Sequence, residues 1–255
     1  MRAPPVFAAP VVAERAPAVD VTAGLLVATA YANRGLNQFG ADQTSLAGLV
    51  GPSLELGKGP FTLGWFGAFQ ATGANRDVVV REGLGHEQNV YATVAGALRD
   101  DLVLEGGLLA TSYPFASAEA VGVATPLFLE PSVALTLERA VSVSLGLAHA
   151  QAVQPGLGGS FTYLSGGLSY ATPIHRAAEV VLGATGGAKR WVVGPQGGAN
   201  SFDADLSWGL HIVADRLDLT PAGHLTWTNL PDRSAGAETF AWFGVETTLG
   251  LLESP

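Results

Sequence analysis

Hydrophobic and polar residues alternate along this chain with a period of two from Asp20 onward. The stretch LSWGLHIVADRLDLTPAGHLTW, residues 206–227, is representative. Leu206, Trp208, Leu210 and Ile212 alternate there with Ser207, Gly209, His211 and Val213. After Ala214-Asp215-Arg216, Leu217, Leu219, Leu225 and Trp227 stand against Asp218, Thr220, His224 and Thr226. Successive side chains of a strand point to opposite faces, so this reads as a hairpin with one apolar and one polar face. Such segments, about twelve of roughly ten to thirteen residues, recur along the chain. They lie near 20–33, 44–57, 60–72, 88–99, 101–113, 127–138, 140–152, 161–172, 177–190, 202–213, 216–228 and 238–251. Nothing between them reads as a helix, and no shift in composition marks a domain boundary.

The links between segments alternate in length. Long ones span 34–43, 73–87, 114–126, 153–160, 191–201 and 229–237. Short ones fall at 57–59, 100–101, 139, 173–176 and 214–215. Every second hairpin turn therefore lies on the same side, as in transmembrane barrels with short periplasmic turns and long extracellular loops. The expected fold is all-β: a transmembrane antiparallel up-and-down β-barrel over 19–255, preceded by a disordered segment at 1–18. Closure is a physical requirement, because an open edge would leave backbone polar groups unsatisfied in hydrocarbon.

The apolar face carries Leu25, Leu54, Leu63, Trp65, Leu104, Leu108, Leu135, Leu145, Leu182 and Phe243 among others; the opposite face carries Glu55, Thr62, Asn89, Thr93, Glu130, Ser144, Glu179, Thr185 and Lys189. Pro52, Pro131 and Pro221 interrupt strands on the apolar face, and bulges or bends are expected there, since each removes a ladder donor. Tyr31, Phe69, Phe202 and Trp227 fall near the long-loop ends and Phe61 and Tyr170 near the short turns, a partial aromatic girdle.

Composition favours the same reading. Hydrophobic residues make up 48% and charged residues 14% of the 255 positions, with 33 glycines. Lys58 and Lys189 are the lysines. No apolar run is long enough for a transmembrane helix, so the apolar residues must be dispersed with a period. The absence of cysteine excludes disulfides and thiolate metal sites. A net charge of −9 argues against nucleic acid as a partner. No cofactor is implied. The expected surroundings are outer-membrane lipid, with small polar solutes as the traffic.

The segment DVTAGLLVATAYANRGLNQFG, followed by SLAGLVGPSLELGKGPFTLGWFGAF, resembles the start of a bacterial family of outer-membrane porins. In that family the first strand ends in Tyr-x-x-Arg-Gly, here Tyr31 to Arg34-Gly35. The resemblance covers about a quarter of the chain and implies a porin-like barrel in the bacterial outer membrane, without naming a solute. The ending LGLLESP lacks the terminal aromatic that such barrels commonly carry.

The polar face is acidic. If Ala214-Asp215 forms the turn, His211 lies opposite Asp218 and Asp205 opposite His224, with Asp203 nearby. This patch reads either as a constriction favouring cations or as a self-satisfied network filling the lumen. Tyr91, Arg99 and Glu105 suggest a second cluster, and Glu246 adds a further carboxylate. Leu206, Trp208, Leu210, Leu217, Leu219, Trp227 and Phe243 are expected to face lipid. No metal site is expected. Nor is catalysis: His149 stands on the apolar face without a Ser partner, and the glycines build no phosphate loop. The expected function is a porin-like channel, the alternative a non-conducting barrel acting as a structural or adhesion protein through its loops. A soluble lipid-carrying barrel would put the apolar face inward. It is disfavoured because the polar face is rich in Gly, Ala, Ser and Thr rather than long charged residues.

Overall fold

The computed structural model describes residues 19–29, 32–33, 36–37, 48–70, 86–114, 125–154, 160–192, 198, 200–229 and 238–252. Tyr31, Arg34, Gly35 and the segment 1–18 lie outside them. The strands are β1 (Val19–Ala28), β2 (Ala32–Asn33), β3 (Leu36–Asn37), β4 (Leu49–Lys58), β5 (Phe61–Gln70), β6 (Glu87–Arg99) and β7 (Leu102–Ser112). They continue with β8 (Leu127–Leu137), β9 (Val141–Ala152), β10 (Phe161–His175), β11 (Ala178–Trp191), β12 (Asn200–Ala214), β13 (Leu217–Thr228) and β14 (Glu238–Leu252). β1 and β4 to β14 form one closed barrel in which each strand pairs with its neighbours in the chain, and β1 closes onto β14. β2 and β3 form a separate small ladder, so β1 stops at Ala28 rather than running on to residue 33.

The two faces are sorted around the whole wall. Leu25, Leu54, Leu63, Val90, Leu108, Leu145, Leu168, Leu206 and Phe243 are exposed on the outside. The intervening residues point inward and are half-buried or buried, giving the alternating accessibility of β9 and β12. A closed sheet whose outer surface is a continuous apolar band has its solvent relationship inverted from that of a soluble domain. The packed core sits inside the barrel at the long-loop end, where Ala28, Leu49, Phe66 and Ala68 are buried against Leu26 and Trp242.

Pro52, Pro131 and Pro221 act alike. Pro52 pairs with Leu25, but the ladder from β4 to β5 breaks off at Val50 and resumes at Ser53. Pro131 pairs with Leu108, while β8 and β9 lack pairs between Leu129 and Ser132. Pro221 pairs with Val245, while β12 and β13 lack pairs between Gly209 and Ile212. Each proline keeps one neighbour and loses the other where a donor is missing. No bulge forms at these points, and the strands run on in register.

Two local registers differ from the sequence expectation. The β12–β13 turn is Asp215-Arg216, with Ala214 opposite Leu217, and Asp215 takes the positive φ (54°) that tight hairpins demand and aspartate tolerates. Every pair is displaced by two residues, which preserves the faces but changes the partners: Ser207 lies opposite His224, and Asp205 opposite Thr226. In β6 a bulge between Ala97 and Arg99 inserts one residue, so Arg99 pairs with Leu102 on the outward row instead of pointing into the lumen.

Candidate pore lining

The interior wall is built from the polar parity of each strand. On β12 and β13 it holds a connected network. His224 Nδ1 lies 2.9 Å from Asp205 Oδ2, and the Thr226 hydroxyl donates to Asp205 Oδ1 at 2.5 Å. Trp242 Nε1 donates to Thr226 at 3.0 Å, and the Trp242 ring stacks on His224 at 3.7 Å with a 7° interplanar angle. The carboxylate thus fixes the imidazole from one side while the indole fixes it from the other. Asp203 accepts from the Tyr163 hydroxyl at 2.9 Å. His211 faces Glu179 across the β11–β12 ladder, 3.0 Å from its carboxylate, rather than Asp218. Asp218 lies opposite Val213 and Thr248.

Tyr91, Arg99 and Glu105 do not come together. The Tyr91 hydroxyl donates to Glu55, and its ring lies over Gly64, where a Cβ would meet the ring at 2.2 Å. Only glycine at position 64 lets the ring lie flat against the wall. Gly187 does the same beneath Tyr163. Glu105 lies between Ala95 and Ala134. Arg99 sits at the short-turn rim, 2.5 Å from Asp101, which Arg139 also holds at 2.9 Å. Hydrogen bonds from Arg139 and then Arg99 hold the Asp101 carboxyl below its ordinary pKa, clipping two neighbouring turns together. Glu246 stands between Leu26 and Thr220.

At the long-loop end the lining is buried. Asn89 donates to Glu87 at 2.6 Å and accepts from Thr111 at 2.7 Å, while the Tyr113 hydroxyl donates to Glu87 at 2.9 Å. Lys189, also buried, packs over the rings of Phe161 and Trp191 at 4.8 and 5.4 Å. Asn89, Glu179 and Lys189 stand on the polar parity as expected, but their partners, and Glu87, Tyr113, Tyr163 and Trp242 as lining residues, were missed in the sequence. In FAWFG, aromatic residues occupy both parities of β14, which hides Trp242 as an inward residue.

Leu206, Trp208, Leu210, Leu217, Trp227 and Phe243 are exposed on the outer face; Leu219, paired with Ile212, is half-covered there. Asp205, His224 and Ser207 have the composition of an acyl-transfer triad. Yet the Ser207 hydroxyl lies on the β11 side, 2.4 Å from where a Cβ on Gly183 would sit, and makes no hydrogen bond to His224. No group of His, Asp or Glu able to hold a metal occurs among the described residues.

Solved structures with this architecture are barrels of the outer membrane. The KdgM porin superimposes with a TM-score of 0.52 at 10% identity, over 91% of this chain and 99% of that one. LpxR from Salmonella typhimurium gives 0.50 at 9% identity, over 89% and 99%. The chain has the outer-membrane β-barrel fold. No protein-family profile matches it, and no curated relative does. The closed sheet and its apolar outer band place the barrel in the bacterial outer membrane, with outer-membrane lipid as its surroundings.

Proposed function

We propose that the barrel is a porin-like channel for passive diffusion of small polar or cationic solutes through a narrow, acidic lumen, and not an enzyme. The observation that carries this is the sign of the inward charge. Glu55, Glu105, Glu130, Glu179, Asp203, Asp205, Asp218 and Glu246 share parity with the lumen, whereas Lys189 is the inward lysine or arginine among the described strand residues. Carboxylates lining a water-filled constriction favour cations. The KdgM porin has been seen with oligogalacturonate, a polyanion, which a lining of this sign would disfavour. The Tyr31-to-Gly35 resemblance points to the same porin class.

A second reading, a non-conducting barrel with a structural or adhesive role, draws on the burial of Ala28, Leu49, Ala68, Glu87 and Asn89 at the long-loop end. Planar-bilayer recording separates the two. The channel reading expects stepwise conductance whose reversal potential in a KCl gradient lies toward the potassium equilibrium potential. Folded, inserted protein that gives no steps rejects it.

A further inference from the structure

Near the long-loop rim the outer face of the barrel, elsewhere mostly apolar, carries a row of four adjacent polar residues. The register places Leu147, Leu164, Ala188 and Phe202 side by side across β9 to β12, and Leu147, Leu164 and Phe202 are exposed. One step closer to the long loops, the same four strands carry His149, Thr162, Arg190 and Asn200, again side by side. The change from apolar to polar is abrupt and occurs in all four strands at once. Arg190 and Asn200 are exposed. Arg190 has no ion pair among the described residues, in contrast to Arg99 and Arg139 at the opposite rim.

Three of these four groups offer donors outward once the Thr162 hydroxyl donates to His149. His149 Nδ1 lies 3.0 Å from the Thr162 hydroxyl. In the tautomer that accepts from Thr162, its Nε2–H remains available to an outside acceptor. The Arg190 guanidinium adds a fork of donors, and Asn200 an amide. Directly opposed side chains on neighbouring strands stand about 5 Å apart, so the row spans roughly 15 Å of wall. Donors at the edge of hydrocarbon need acceptors, and a guanidinium fork matches a phosphate bidentately.

We propose that His149, Thr162, Arg190 and Asn200 form an outward-facing site for a phosphate of the anionic glycolipid in the outer leaflet. The proposal rests on the barrel's orientation in the membrane and is independent of whether the lumen conducts. Height and charge argue for a lipid: the row follows the exposed Leu147, Leu164 and Phe202 on the side of the long loops, has the exposed Val153 and Val192 beyond it, and points away from the lumen.

The test uses the full chain refolded in detergent micelles and titrated with bisphosphorylated lipid A or with the same lipid chemically dephosphorylated, occupancy being read by native mass spectrometry. The wild type is expected to prefer the phosphorylated lipid by about tenfold, and Arg190→Gln to abolish that preference. Lys58→Gln, which alters an outward residue at the opposite rim, should retain it. Circular dichroism and heat-modifiable gel mobility verify that each variant is folded. Equal preference in wild type and Arg190→Gln, or equal losses in both variants, overturns the site. Binding of millimolar inorganic phosphate by the lipid-free protein, lost in Arg190→Gln, together with no preference between the two lipids, would assign the row to free phosphate and overturn the lipid reading.

Discussion

Replacing Asp203 and Asp205 together by asparagine should lower the cation preference of the channel by about fivefold or more. Both carboxylates face the lumen from β12, one bonded to Tyr163 and the other to His224 and Thr226. A unit charge about 8 Å from a passing ion contributes roughly 2 kcal/mol at an effective dielectric of 20, and salt screening leaves about half. One kcal/mol corresponds to about a fivefold change in relative occupancy. Asparagine retains an acceptor for the Tyr163 and Thr226 hydroxyls, so the wall should persist while its charge is lost. Reversal potentials in asymmetric KCl measure the effect directly. An unchanged potassium-to-chloride ratio in the double variant would mean that these carboxylates serve the wall and do not filter ions.

The largest effect on stability is expected at Leu206. It lies near the middle of β12 on the exposed outer row, between Ala184 and Leu225. Leu206→Arg should cost about 2–4 kcal/mol of folding stability in phospholipid vesicles, because a guanidinium is then placed near the bilayer midplane. Ser207→Arg, one residue away but inward, should cost much less and alter conductance instead. Urea titration of vesicle-embedded protein, read by tryptophan fluorescence, compares the two. A soluble barrel would give the opposite order, since an outer arginine is solvated and an inner one is not.

Much of the architecture was legible because the dominant signal is robust. Strand positions, closure and the sidedness of the links follow from a period of two and from alternating link lengths, and neither depends on the partner of a given residue. The β12–β13 register illustrates the limit. Asp215-Arg216 forms the turn instead of Ala214-Asp215, and the slip of two leaves Asp205, His211, Asp218 and His224 on the polar parity while changing their neighbours. His211 meets Glu179 on β11, a contact fixed by a second ladder that no single hairpin encodes. An odd insertion is less forgiving. The bulge in β6 moves Arg99 to the outward row, where it meets Asp101. Turn backbone angles decide both cases, and residue type constrains them only weakly: Asp215 adopts a positive φ that Asn or Gly would accept equally.

The polar parity faces water inside the barrel and the apolar parity faces lipid. The chain has no cysteine, so single cysteines introduced at 205 to 208 and at 210 report position by position. In vesicles, a charged, membrane-impermeant thiol reagent is expected to modify cysteines at 205 and 207 and to spare those at 206, 208 and 210. Modification of 206, 208 and 210 with protection of the odd positions would contradict the account.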